Sequence, residues 1–245
     1  MNILVVKDYE EMSEKAAHIV VGKILSKPDS VLGLATGSTP IGLYRKLMDF
    51  YNCGLVSFAE TITFNLDEYI GLSADCSQSY AMFMKNNLFN HIDIKRENCN
   101  IPSGTINDRS KECQYYEKKI KAHGGIDLQI LGIGRNGHIG FNEPDVKFEA
   151  QTHIVKLDEQ TIFDNARFFE RSEDVPKSAI SMGIKTIMQS RKIVLLASGK
   201  EKADAVFGMV KGQITPKLPA SVLQLHPNVT LIVDEDAYSK INNNK

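Results

Sequence analysis

The apolar residues of this chain fall into short continuous runs, separated by longer stretches in which they recur every three or four positions. The runs at residues 2–6, 30–35, 61–66, 128–133, 193–197 and 229–233 read as strands, most of them buried on both faces. Helical spacing marks residues 9–26, 41–51, 79–91, 109–122, 158–169 and 179–190, and a further segment from residue 200 to 211. Residues 152–157 alternate as a strand does, and residues 221–225 suit a short helical turn. Tyr80, Phe83 and Phe89 fall on the apolar face of the 79–91 segment and are assigned to the core. Residues 98–108 read as irregular and residues 241–245 as a frayed tail.

Strands alternating with helices over 245 residues, with no repeat or low-complexity linker, predict one α/β domain spanning residues 1–245. The expected architecture is a Rossmann-like open, mostly parallel sheet with helices on both faces. Composition narrows the function. The formal net charge is -1 with acids and bases interleaved, which argues against a nucleic-acid or anionic-membrane surface. Cys53, Cys76, Cys99 and Cys113 have neither metal-ligand spacing nor the density of a disulfide framework, so a reducing compartment is expected. The apolar start is too short for a signal-peptide core and no run reaches the length of a membrane span. A cytoplasmic protein acting on a small molecule is the expectation.

Polar clusters follow the carboxyl ends of the predicted strands, where open α/β sheets bind ligands. After the second strand comes Thr36-Gly37-Ser38-Thr39-Pro40. Thr39 is a natural N-cap and Pro40 suits the first helical position, so free N–H groups and the helix's positive end would meet an anion there. Hydroxyls from Thr36, Ser38 and Thr39 favour phosphate, and the absence of a Gly-Lys-Ser/Thr ending excludes a nucleotide-triphosphate loop. The third strand ends at Asp67-Glu68-Tyr69. Arg167, near a helix end, and Lys200 and Lys202, after the strand at 193–197, are further candidate anion contacts. For each of these motifs the ordinary structural role, a capped helix or a solvated charge, competes with the functional one. Their convergence on one sheet edge favours function.

The organising stretch runs from Asp127 to Pro144. Its strand leads into a loop in which Gly132, Gly134, Gly137 and Gly140 alternate with Asn136, His138, Asn142 and Glu143. Gly132-x-Gly134-x-x-Gly137 matches a dinucleotide fingerprint, and Asp158 stands where a ribose-binding acid would be. Gly140 and Pro144 interrupt the helix that such a fingerprint needs, so a histidine and a carboxylate held for proton transfer is the better reading.

Together, Ala-Thr-Gly-Ser-Thr-Pro (35–40), Phe-Asn-Leu-Asp-Glu-Tyr (64–69) and Gly-Ile-Gly-Arg-Asn-Gly-His-Ile-Gly-Phe-Asn-Glu-Pro (132–144) resemble the glucosamine-6-phosphate deaminase family. The likeness continues through Asn165-Ala166-Arg167-Phe168-Phe169 and residues 175–177, 199–203 and 223–227. It implies conversion of glucosamine 6-phosphate and water to fructose 6-phosphate and ammonia, with no metal or organic cofactor. By the same resemblance Asp67 moves a proton between carbons 2 and 1, His138 opens the sugar ring, and Glu143 orients and tunes His138. The phosphate pocket maps onto Gly37, Ser38, Thr39, Arg167 and Lys202, beside Thr36. Two departures stand out. Asn136 replaces an aspartate common in the family, so it is expected to orient the imidazole without stabilising its cation. Ser38 replaces a common glycine, which would be strained if the position needed a positive φ.

A 6-phosphogluconolactonase is the rival enzyme reading, but it should lack the Asn142-Glu143-Pro144 and Asn65-Leu66-Asp67-Glu68 clusters. A non-catalytic sugar-phosphate sensor would leave Asp67, His138 and Glu143 without purpose. The resemblance also bears on regulation. Hexameric relatives hold N-acetylglucosamine 6-phosphate with a serine, an arginine and a lysine where this chain has Val146, His153 and Val155. They also extend further past the last strand. A monomer or small homo-oligomer, without activation, is expected.

Overall fold

The computed structural model describes residues 1–167 and 169–242; Phe168 and residues 243–245 of the predicted tail lie outside the described residues. In chain order the strands are β1 (Asn2–Val6), β2 (Val31–Leu34), β3 (Ile62–Asn65), β4 (Asp67–Tyr69), β5 (Cys99–Asn100), β6 (Leu128–Gly132), β7 (His153–Lys156), β8 (Ser178–Ser181), β9 (Ile193–Ala197) and β10 (Val229–Asp234). The helices are α1 (Tyr9–Ser26), α2 (Ile41–Asn52), α3 (Tyr80–Asn87), α4 (Arg109–Ala122), α5 (Glu159–Ala166), α6 (Ile184–Met188), α7 (Ala203–Lys211) and α8 (Glu235–Asn242). Short 3₁₀ turns join several of them.

Seven strands form a parallel sheet in the order β1-β10-β9-β6-β2-β3-β5. Its strands alternate between two cores. On β9, Ile193, Leu195 and Ala197 pack with α4, α6, α7 and α8, whereas Val194 and Leu196 pack with α1, α2 and α3. Burial on both faces is why these strands read as unbroken apolar runs. From β2 the chain builds outward through β3 to β5, and from β6 it builds the other way to β9 and β10. The crevice between the carboxyl ends of β2 and β6 is therefore the topological switch point, the place where such sheets bind ligands.

A second sheet, β4-β8-β7, is antiparallel and sits at that same end of the molecule. The sequence did not announce it. Residues 179–190 carry helical spacing, yet residues 178–181 form the central strand β8, and only Ile184–Met188 is helical. Pairing on both sides of β8, to Asp67–Tyr69 and to His153–Lys156, outweighs local propensity. Gly183, two residues past the strand at the start of α6, sits where a Cβ would lie 2.3 Å from the Gln151 carbonyl oxygen, so the backbone can pass only as glycine.

Other expectations shift in smaller ways. Within 98–108, read as irregular, Cys99–Asn100 adds the edge strand β5. The 79–91 helix stops at Asn87 and finishes as a 3₁₀ turn, and the 158–169 helix stops at Ala166. After β10 the chain forms α8, whose Ile241 is buried, so the fraying expected from residue 241 does not hold there.

Candidate active site

The loops after β2, β3, β6 and β9 enclose a cleft of about 580 Å³ that Thr36, Gly37, Ser38, Thr39, Asp67, His138, Arg167 and Lys202 all line. Asn136 and Glu143 stand behind His138. Glu143 faces a second groove on the far side of the histidine loop.

At the loop after β2, the left-handed conformation falls on Gly37 (φ 91°), and among the described residues no non-glycine has positive φ, so Ser38 is unstrained. The predicted Thr39 cap is not formed. Helix α2 opens at Ile41 behind Pro40 with no side-chain cap. The N–H of Gly42 instead donates to the Tyr9 hydroxyl at 2.7 Å, and that hydroxyl donates to the Ser38 carbonyl at 3.1 Å. Arg167 reaches the same loop, donating to the Ser38 hydroxyl at 3.2 Å. Lys202 follows the turn after β9; burial, with repulsion from Arg135 and Arg167, lowers its pKa despite the nearby Glu201 and Asp164. That turn is held from below. The Asp234 carboxylate at the end of β10 accepts from the Ser198 hydroxyl at 2.5 Å and the Gly199 N–H at 3.0 Å, and the Gly199 carbonyl accepts the Lys202 N–H at 3.0 Å.

The two acids after β3 have separate fates because successive strand residues face opposite ways. Glu68 is turned inward and accepts the N–H groups of Tyr69, Tyr80 and Ala81, which pins the start of α3. Asp67 is 5% exposed and lines the cleft; burial and the neighbouring Glu68 charge raise its pKa well above the usual carboxylate range. Helix α3 brings Tyr80 to the cleft, its ring stacked on Phe141 with centroids 5.9 Å apart, so this residue is a wall of the site as well as core.

The histidine loop turns back on itself, with the Gly134 N–H donating to the His138 carbonyl at 2.9 Å. A Cβ on Gly134 would stand 2.3 Å from the imidazole Cε1, so glycine makes the space for the ring. His138 Nδ1 lies 3.3 Å from Glu143 Oε2 and 3.4 Å from the Thr161 hydroxyl, leaving Nε2 for other work. Burial acts to raise the Glu143 pKa, but its bonds to His138, Thr161 and Asn136 outweigh that and hold it below the ordinary glutamate value. Among the described residues no hydrogen bond joins Asn136 to the imidazole. Asn136 donates to Glu143 Oε2 at 2.9 Å and accepts the His138 backbone N–H at 3.2 Å, so it orients the ring only through these partners. Asn142 is a tether, donating to the carbonyls of Ile139 and Met182. At Gly140 the loop passes Asp67 closely enough that a Cβ would be 3.5 Å from its Oδ2.

Sequence reasoning missed Tyr9, Tyr80, Arg135, Asp164 and Asp234. Of these only Arg135 carries a local signal, by standing inside the glycine loop; it pairs with Asp164 of α5 at 3.6 Å. The fingerprint acid Asp158 caps α5 by accepting the Gln160 N–H, as a helix N-cap does. Among the described residues no group of three or more His, Cys, Asp or Glu side chains is placed to hold a metal ion.

Comparison with known proteins places this geometry. The family model for glucosamine-6-phosphate isomerases and 6-phosphogluconolactonases matches residues 7–232. A glucosamine-6-phosphate deaminase of Clostridioides difficile is 58% identical over 99% of this chain and 97% of its own length. One from Clostridium novyi is 59% identical over 98% and 100%. A solved structure described as a monomeric glucosamine-6-phosphate deaminase superposes with a TM-score of 0.96 at 48% identity, covering 98% of this chain and 99% of its own. The 6-phosphogluconolactonase of Trypanosoma cruzi shares the fold, with a TM-score of 0.80 at 21% identity over 98% of this chain and 96% of its own. The chain belongs to the glucosamine-6-phosphate isomerase and 6-phosphogluconolactonase family, within its glucosamine-6-phosphate deaminases.

Proposed function

We propose that this enzyme converts glucosamine 6-phosphate and water to fructose 6-phosphate and ammonia, with Asp67 and His138 as its proton-transfer groups. One observation carries the assignment of roles: a buried carboxylate of raised pKa shares a cleft with an imidazole backed by a carboxylate and with two cations beside a hydroxyl-rich loop. The phosphate meets Ser38, Thr39, Arg167 and Lys202, where charge-assisted bonds are strongest. Thr36 and Gly37 shape that loop. His138, through Nε2, moves the proton from the carbon 1 hydroxyl to the ring oxygen and opens the sugar. Its partner Glu143 holds the ring through Nδ1, and Asn136 keeps Glu143 in place.

Asp67 then takes the proton from carbon 2, leaving an enolamine, and returns it to carbon 1. The nitrogen is left double-bonded to carbon 2. Water adds to that carbon and ammonia departs, which balances the reaction without an oxidant or reductant. A raised pKa suits this task, since a stronger base abstracts a carbon-bound proton more readily. Asn142-Glu143-Pro144 and Asn65-Leu66-Asp67-Glu68 support this reading over a lactonase.

Coupled measurement of ammonia release from glucosamine 6-phosphate tests the proposal. Ammonia and fructose 6-phosphate in equal amounts are expected; hydrolysis of 6-phosphogluconolactone without ammonia release would assign the chain to the other enzyme. In the described residues no helix is long and apolar enough to cross a membrane, and we place the enzyme in the cytoplasm as a monomer or small homo-oligomer.

A further inference from the structure

The Tyr9 hydroxyl joins two groups of the anion loop that lie far from it in sequence, accepting from Gly42 N–H and donating to Ser38 C=O. Tyr9 itself is the first residue of α1 and lines the cleft. Helix α1 approaches α2 closely at this point. A Cβ on Gly42 would be 2.2 Å from Ser13 Oγ and 2.9 Å from Tyr9 Cε1, so glycine at 42 is what lets the phenol reach the backbone.

The consequence for the loop follows from peptide geometry. In a planar trans peptide the C=O and the following N–H point in opposite directions. Holding the Ser38 carbonyl toward Tyr9 therefore turns the Thr39 N–H the other way and restrains rotation about Ser38 ψ and Thr39 φ, the two dihedrals that flank that peptide. Because α2 lacks a side-chain cap of its own, the Tyr9 hydroxyl also supplies the partner for one of its first N–H groups. We infer that Tyr9 is a positioning residue for substrate phosphate: it sets the loop 36–39 in its anion-binding conformation without being a catalytic group. The inference rests on the anion site proposed above.

Its test is Tyr9→Phe, which removes the one oxygen and keeps the ring, alongside Ser13→Ala. Ser13 donates to the Tyr9 carbonyl at the same α1–α2 contact, and among the described residues its hydroxyl makes no hydrogen bond to loop 36–39. Three readouts are compared with the wild type: KM and kcat for glucosamine 6-phosphate, competitive inhibition by inorganic phosphate, and the rise in Tm that phosphate produces. In Tyr9→Phe, KM and the phosphate inhibition constant are expected to rise together by about threefold to tenfold, with kcat within about twofold and a smaller Tm rise. Ser13→Ala is expected to keep the wild-type KM and inhibition constant. Equal values in Tyr9→Phe and wild type, or equal increases in both variants, would overturn the role, the second because it marks loose helix packing. A wild-type protein that phosphate neither inhibits nor stabilises would instead sink the anion site itself, and this inference with it.

Discussion

Asp67 and Glu143 are both buried carboxylates at one site, and the structure gives them opposite energetics. Asp67 has a raised pKa, from burial and then Glu68, so at neutral pH its charge opposes folding. The unfolded chain ionises first as pH rises, and stability falls between the unfolded and folded pKa values. Asp67→Asn is expected to lower kcat by at least about a hundredfold while raising Tm at neutral pH, with the gain vanishing in acid. A variant that is active, or that melts lower at pH 7, contradicts this. Glu143 has a depressed pKa, so its contribution is present above the unfolded value and disappears as pH falls through the folded one. Glu143→Gln should therefore lose roughly 1–3 kcal/mol near neutrality, from charged hydrogen bonds, and match the wild type in acid. Melting curves of both variants across pH 3 to about 8 separate the two signs. Asn136 marks the limit of reading single residues: its type was legible, but its partner turned out to be Glu143 and not the imidazole.

Elements reach the site through buried polar contacts that sequence spacing does not display. Glu68 ties β4 to the start of α3 and so brings Tyr80 to the cleft. Asp234 plays a similar part for the turn between β9 and α7, and it also accepts the Ala237 N–H at the start of α8. Asp234→Ala is expected to raise KM for the phosphosugar several-fold and to lower Tm, because it unpins Gly199 and uncaps α8 together. Asp234→Asn keeps one acceptor and should fall between them. If KM is unchanged in both while Tm drops, Asp234 serves only α8. The misassigned helix at 179–190 has a related cause. Ala-Ile-Ser-Met-Gly-Ile is compatible with either state, and the decision came from two partner strands distant in the chain.

For the whole molecule, regulation is the property most open to test. The positions that the family resemblance matches to an activator site in hexameric relatives are Val146, His153 and Val155; His153 and Val155 line a groove on the far side of Glu143, and Val146 is 86% exposed. Burial lowers the His153 pKa, which leaves the imidazole neutral at pH 7. Glu143, Asp145, Glu149, Asp158 and Glu159 face Lys147, Lys156 and Lys177 there, so the groove has more acid than base. Such a surface is expected to give phosphate no differential affinity, and an effector without it shifts no equilibrium. Titration with glucosamine 6-phosphate should be hyperbolic, and unchanged by N-acetylglucosamine 6-phosphate; a sigmoidal curve that the acetylated sugar straightens would refute this.

Six of the seven strands of the parallel sheet, all but β5, were legible in the residue pattern, because strands buried on both faces must be written as unbroken apolar runs, and so were most of the helices between them. The sequence also marked the loops that carry Thr36 to Thr39, Asp67, His138 and Glu143, since glycines and polar residues crowded after a buried strand have few structural uses. Tertiary structure alone decided the β4-β8-β7 sheet, the separation of Asp67 from Glu68, and the service of Tyr9 and Asp234 to loops far along the chain. Those depend on pairings between distant segments. A periodic pattern records which face of an element is buried, and carries no record of which element will cover it.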